Sequence, residues 1–240
     1  MRTDGRRPDE LRPVTLEMGF LAHAEGSCLA TAGNTRVICA ASVERRVPPF
    51  LVNSGQGWVT AEYGLLPRST HERVARETTP RGRSQEIQRL LGRSLRAVCN
   101  LAVLGEQQII IDCDVLQADG GTRTLALTGG FCALRQAVNG LLATGAIRND
   151  PIIENVAATS VGIVGGELLL DLAYEEDSRA ETDMNVVMTA SGRIVEMQAT
   201  AEHRPFTFEQ FTGLYELAAG AIRKLVVLQQ QAVPAGAGGK

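Results

Sequence analysis

Apolar and polar positions change period several times along the chain, and each change marks an element. Three alternating runs open it: 13–23 (PVTLEMGFLAH), 26–32 (GSCLATA) and 35–43 (TRVICAASV), the last two separated by Gly33-Asn34. β-Branched and small apolar residues around a glycine-containing turn predict a meander of three strands. Residues 58–63 (WVTAEY) predict a fourth strand, after a loop carrying Pro48, Pro49, Gly55 and Gly57. From Ser84 the period lengthens. Ile87, Leu91, Leu95, Val98 and Ala102 fall on one helical stripe, with Ser84 to cap it and Gly105 to end it. QQIIIDCDV (107–115) returns to strand character until Asp119-Gly120-Gly121 breaks it.

A second helix is predicted from about Thr122 to Leu142, with Leu127, Phe131, Leu134, Val138 and Leu141 on one side. Gly129 and Gly130 lie inside it, each costing about 1 kcal/mol relative to alanine, so they imply close contact between helix and sheet. VAATSVGIV (156–164) and ELLLDLAY (167–174) flank Gly165-Gly166, and NVVMTA (185–190) and RIVEMQAT (193–200) flank Ser191-Gly192, which predicts two hairpins. Thr207 and Gln210 stand in capping-box spacing before the stripe Phe211, Tyr215, Ala218, Ile222 and Leu225. Strands first, then helices interleaved with hairpins, predict a mixed α/β fold. The expectation is one domain over residues 1–232, with 233–240 a disordered tail.

At 240 residues and 44% hydrophobic, the chain can bury a large core. Its apolar runs fall short of the roughly 20 residues a membrane-spanning helix needs. The charged start, MRTDGRRPDE, gives no reason to expect a secretory signal. Cys28, Cys39, Cys99, Cys113 and Cys132 are odd in number and form no C-x-x-C, so free buried thiols and a cytoplasmic location are expected. The net charge of −3 hides an uneven distribution. Eight arginines against three glutamates lie between Arg68 and Arg96, and six carboxylates against Arg179 lie between Asp171 and Asp183. An arginine-rich zone and an acidic zone suit a site that handles both a polyanion and a divalent metal.

Three constellations could carry chemistry. Asp119-Gly120-Gly121-Thr122-Arg123-Thr124 joins a strand to a helix start, where backbone N–H groups, two hydroxyls and a guanidinium make a pocket for a phosphate-sized anion. A capped helix start explains the same residues equally well. Arg68, His71, Arg73 and Arg76 occupy a polar stretch, Arg83 stands near the next helix start, and Arg89, Arg93 and Arg96 form a stripe on that helix. RNA phosphates are natural partners for the loop arginines, whereas a solvated helix face is the better account of the stripe. Asp177 and Asp183 bound a segment that can bring two carboxylates together, either around a divalent cation or with one keeping its proton as a general acid. A solubilising acidic turn is the alternative.

GWVTAEYGLLPRSTH, GRSQEIQRLLGRSLRA, IDCDVLQADGGTRT, YEEDSRAETDMNVVM, the QATAEH–PF stretch and the N-terminal LRPVTL…HAEGSCL block resemble the signature blocks of the bacterial ribonuclease PH family, from about Gly5 to the last helix. The resemblance implies a ribonuclease PH-type fold related to a ribosomal-protein domain, and a homohexameric ring built as a trimer of dimers. It implies phosphorolytic trimming of the 3′ ends of tRNA precursors and other RNA, with release of nucleoside diphosphates, and a reverse reaction that adds nucleotides. It implies phosphate binding by Arg83, Gly121, Thr122 and Arg123 with Thr124 adjacent, catalytic and magnesium-binding roles for Asp177 and Asp183, and RNA contacts by Arg68, Arg73 and Arg76. The chain departs from the family pattern at Ala199 and His203, where glycine is usual, at RRVPPF (45–50), and in a shortened TTPRG segment before Arg83. A non-catalytic ring subunit that binds RNA is the strongest rival. A small-molecule phosphotransferase would leave the arginine track idle, and a hydrolytic nuclease would need no phosphate.

Overall fold

In a computed structural model, which describes residues 2–76, 82–202 and 204–236, the opening meander forms as the alternation predicts. β1 (Val14–Met18), β2 (Gly26–Ala32) and β3 (Thr35–Glu44) run antiparallel. β4 (Trp58–Leu65) and β5 (Gln108–Gln117) complete a mixed sheet of order β1-β2-β3-β5-β4, in which β4 and β5 are parallel. A parallel pair needs a crossover, and α1 (Arg83–Ala97) and α2 (Leu101–Leu104) lie in that connection. Residues 78–81 of the shortened loop, His203, and residues 237–240 of the tail lie outside the described residues.

α3 (Thr122–Ala143) is buried almost all round because it separates two sheets. One side meets β2, β3 and β5, and the other meets β6 (Val156–Val164) of a second sheet. That sheet has the order β7-β6-β8-β9, with β7 at Glu167–Leu170, β8 at Thr182–Thr189 and β9 at Ile194–Ala201. Alternation along β6 explains the layering. Val156 and Ala158 join the core around α3, while Ala157, Val161 and Ile163 face α5 (Phe208–Ala232). The result is four layers: sheet, helices, sheet, helix. Thr207 and Gln210 close the expected capping box on α5.

The local stops differ from expectation. Gly82, at φ +47°, caps α1, and Ser84 is buried inside its first turn. The chain must swing sharply into the helix there, and only glycine takes that backbone conformation freely. α1 ends at Ala97. Gly105 closes α2 instead, a separate turn capped by Asn100, whose side chain accepts from Val103 N–H; Ala102 therefore leaves the stripe. β7 stops at Leu170, because Asp171 adopts φ +54° and Tyr174 opens a short helix, α4 (Tyr174–Asp177). Residues 233–236 lie against α3: Val233 is buried, and Asn139 bonds Pro234 O and Gly236 N.

Gly129 and Gly130 of α3 allow the close approach their cost implied. A side chain at Gly129 would stand 2.8 Å from Ala30 Cβ and 3.1 Å from Cys39 Sγ, whereas one at Gly140 meets nothing within 4 Å. Gly129→Val should therefore lower stability by about 1–3 kcal/mol through overpacking. Gly140→Ala should raise it by about 0.5–1 kcal/mol through helix propensity. Urea denaturation of the two variants tests this, and shifts of the same sign would refute the packing account.

Candidate active site

The site is built where β5 passes into α3. Gly120 and Gly121 have φ +76° and +64°. A Cβ on Gly120 would meet Leu172 O at 2.4 Å, and one on Gly121 would meet Arg12 Nη2 at 2.8 Å. Both positions thus need glycine for space as well as for backbone conformation. The turn's carbonyls are held from beneath. Arg12 Nη1 donates to Asp119 O (2.5 Å), and Thr35 Oγ1 donates to Gly120 O (2.7 Å) and accepts from Asp119 N (3.0 Å). Arg12 also forks onto Asp171, with Nε to Oδ2 at 3.0 Å and Nη2 to Oδ1 at 2.7 Å, and both side chains are over nine-tenths buried. A buried, bidentate pair has the geometry that justifies desolvating both charges.

The N-terminal segment ties the acidic strip to the same base. Arg2 donates to both oxygens of Glu176 (2.7 Å each) and to Asp171 O (3.1 Å), and Arg6 also reaches Asp171 O (3.1 Å). Burial opposes ionisation of Glu176, but hydrogen bonds from Arg2 and from Ala173 N–H hold its carboxyl below the ordinary range. Tyr174 N–H donates to Asp119 Oδ1 (3.3 Å). α4, which carries Asp177, is therefore fastened to the glycine turn. Sequence reasoning missed Arg2, Arg6, Arg12, Asp171 and Glu176 as parts of the site. A signal was present, since six carboxylates beside one arginine require cations from elsewhere, and MRTDGRRPDELRP supplies four arginines.

Above the turn stand five of the predicted residues: Thr122, Arg123, Arg83, Asp177 and Asp183. Thr122 opens α3, and its Oγ1 accepts from the buried Tyr63 hydroxyl at 2.8 Å. Arg123 donates to Gln198 (3.1 Å) on β9 and to Glu86 (3.4 Å) in the first turn of α1, the helix that Arg83 opens. Displaced water raises the Asp177 carboxyl above its ordinary value, while the nearby charges of Arg83, Arg123 and Arg12 pull it down. Burial, then Asp177 and then Glu202 raise Asp183, against Arg123. Arg83, Arg123, Asp177 and Asp183 thus share one electrostatic neighbourhood. Two carboxylates at odds fit the binding habit of Mg2+, which takes one or two carboxylates with substrate phosphates and water. Among the described residues no group of three or more His, Cys, Asp or Glu is arranged to hold a metal by itself.

Thr124 is adjacent to the turn, on its inner side. Its hydroxyl donates to Gly121 O (2.9 Å), and it lines a small pocket with Arg12 and Asp171, so it shapes the turn from beneath. Arg68 donates to His71 O (2.6 Å) and lines a groove of about 1000 Å³ with Tyr174 and Asp119. Arg76 stands beside Asp114, and Arg73 makes no hydrogen bond or ion pair among the described residues. Part of the helix stripe is structural. Arg93 pairs with Glu196 (2.5 Å), and Arg96 lies over the Trp58 ring (4.2 Å) and donates to Val59 O (2.8 Å).

Two family models match the chain, the 3′ exoribonuclease family's domain 1 over residues 10–138 and its domain 2 over residues 154–221. Ribonuclease PH of Moorella thermoacetica is 58% identical over 234 residues, covering 96% of this chain and 94% of that protein. Ribonuclease PH of Bacillus subtilis is 55% identical over 235 residues, 96% of each. Among solved structures, the Archaeoglobus fulgidus exosome with RNA bound to the active site matches with a TM-score of 0.80 at 22% identity, over 93% of this chain and 91% of that one. Rice Rrp46 matches with a TM-score of 0.77 at 20% identity, over 97% and 100%. At those identities the structural likeness speaks for the fold.

Removing one member of the buried pair leaves the other charge uncompensated. Asp171→Asn should cost about 3–5 kcal/mol of unfolding free energy at neutral pH. A loss below about 1 kcal/mol in chemical denaturation would show that the pair does not hold the turn. Glu176 adds a pH signature. Its carboxyl is lowered from the ordinary 4.5, so its stabilisation is present above that value and is lost as pH falls through the folded-state value. The stability gap between the native chain and Glu176→Gln should therefore be largest at neutral pH and close in acid.

Proposed function

The chain belongs to the ribonuclease PH family of 3′ exoribonucleases, and we propose that Arg83, Gly121, Thr122 and Arg123 hold the attacking phosphate while Asp177 and Asp183 serve the reacting phosphodiester. The protein is a phosphorolytic 3′→5′ exoribonuclease. It trims the 3′ end of tRNA precursors and other RNA with inorganic phosphate, releases nucleoside diphosphates, and adds nucleotides in reverse. The observation that carries the residue assignment is geometric: Tyr174 N–H fastens α4, which bears Asp177, to the 119–121 turn, and Arg123 reaches Glu86 in the first turn of the helix that Arg83 opens.

Two anions must meet in this reaction. The guanidinium groups of Arg83 and Arg123, the N–H groups at the α3 start and the positive end of that helix lower the repulsion. A phosphate oxygen attacks the terminal phosphorus in line with the departing 3′ oxygen, and the new phosphoanhydride keeps the product a diphosphate. Mg2+ held by Asp177 and Asp183 would supply charge neutralisation on the transferring group. Burial raises both carboxyls, which equally supports one of them giving a proton to the leaving oxygen. Thr124 supports the turn from beneath. Arg68, Arg73 and Arg76 hold the RNA backbone without reading its bases.

Leu29 and Ile38, paired on the open face of the first sheet and half-buried, support a subunit contact there, within the homohexamer that we propose. The core that runs through α3 into both sheets supports reading residues 1–232 as one domain. Five free buried cysteines support a cytoplasmic location. Among the described residues no helix is long and apolar enough to cross a membrane.

Incubation of 3′-labelled RNA with and without phosphate, followed by identification of the product, tests the assignment through two variants. Arg83→Ala should raise the KM for phosphate roughly ten- to a hundredfold, the loss of a charge-assisted hydrogen bond, and leave RNA binding near native. Asp183→Ala should abolish phosphorolysis and the reverse reaction while the assembly stays intact. Unaltered phosphate dependence in the first, or near-native turnover in the second, would remove that residue from the mechanism.

A further inference from the structure

We propose that Tyr63 is a positioning residue for the attacking phosphate: by donating its hydroxyl to Thr122 Oγ1, it leaves the Thr122 proton facing the anion. The inference rests on Thr122 being a phosphate ligand. Tyr63 points inward from β4 and is 5% exposed, and its hydroxyl lies 2.8 Å from Thr122 Oγ1 in a buried bond. β4 pairs with β5 in parallel register, with Tyr63 opposite Cys113, and β5 leads through the 119–121 turn directly to Thr122. The tyrosine is thus carried by the strand beside the one that delivers the phosphate loop.

A threonine hydroxyl has one proton and two lone pairs. The other two threonines of α3 use their protons on backbone carbonyls: Thr124 donates to Gly121 O at 2.9 Å and Thr128 to Thr124 O at 3.0 Å. Thr122 is the first residue of the helix, ahead of such carbonyls, and its hydroxyl donates to no acceptor among the described residues. Tyr63 takes one of its lone pairs and so restricts the hydroxyl's rotation. Arg83 and Arg123 lie close enough to act on the Tyr63 hydroxyl, and burial keeps that hydroxyl protonated, hence a donor. A donor fixed before the anion arrives needs no reorganisation when it binds.

Steady-state kinetics of Tyr63→Phe, Thr122→Val and the double variant test this. Tyr63→Phe should raise the KM for phosphate about three- to tenfold, with kcat at saturating phosphate and the KM for RNA within about twofold of native. Thr122→Val should raise the phosphate KM as well, and adding Tyr63→Phe to it should raise it no further, because the two act through one hydroxyl. Thr122→Ser, which keeps that hydroxyl, should restore the native value. Equal increases on both backgrounds, or no increase in Tyr63→Phe while Thr122→Val is impaired, would overturn the proposal and leave Thr122 as a ligand. An unchanged phosphate KM in Thr122→Val would remove that ligand and the proposal with it. Tyr63→Phe deletes one oxygen, so a variant that fails to fold would mark the bond as structural and also count against it.

Discussion

The ion pair between Arg12 and Asp171 is the contact on which the site depends. It joins three pieces distant in sequence: the entry to the first strand, the turn after β5, and the end of β7. One guanidinium supplies both the fork that neutralises Asp171 and the donor that holds Asp119 O. Its bulk also forbids a side chain at Gly121. Arginine does this where lysine could not, because a planar fork reaches two oxygens of one carboxylate and a carbonyl at once. Asp171 in turn takes a left-handed backbone conformation, which turns the chain from β7 toward α4. The charges sit where water is excluded, so neither can be lost without exposing the other.

The carboxylates of the acidic strip divide by the company they keep. Glu176 faces the N-terminal arginines and is held ionised, in a structural role. Asp177, the next residue, and Asp183 lie instead among Arg83, Arg123 and Glu202, where partial loss of water raises both carboxyls and Asp177 adds to the rise of Asp183. A helical turn points adjacent side chains about 100° apart, which lets neighbouring acids serve unlike ends. The groups left without a side-chain partner among the described residues are those that charge on a substrate or a cation would relieve, whereas Glu176 and Asp171, which hold them in place, are paired with Arg2 and Arg12. This separation of supporting and reacting charge is what a phosphoryl-transfer site requires, since it must accept two anions without collapsing around them.

The arginines divide in the same way. Arg2, Arg12, Arg93 and Arg96 are engaged with Glu176, Asp171, Glu196 and the Trp58 ring. Arg83 opens α1 with an exposed side chain, and Arg68, Arg73 and Arg76 lie exposed in the segment before it. An arginine-rich composition thus serves two ends, and only partners in space distinguish them.

Much of the scaffold was legible in the sequence. Period-2 alternation, paired glycine turns, the stripe of α3 and the capping box of α5 are local signals, set by residues within one turn or one hairpin of each other. The start of α3 was legible as a candidate anion pocket, because helix starts after glycine turns attract anions whatever surrounds them. A capped helix start accounted for the same residues equally well, and the family resemblance supplied the assignment. The caps of α1, the inward turn of Thr124 and the short helix α4 were not legible, since backbone demands imposed by neighbouring elements overrode local preference there. Nor was the network of Arg2, Arg12, Asp171 and Glu176, whose members stand up to 174 positions apart. Periodicity carries no information about contacts at that range. Only the packed layers, which press the N-terminal segment against the ends of β5 and β7, decided which charges would meet and which would be left to work.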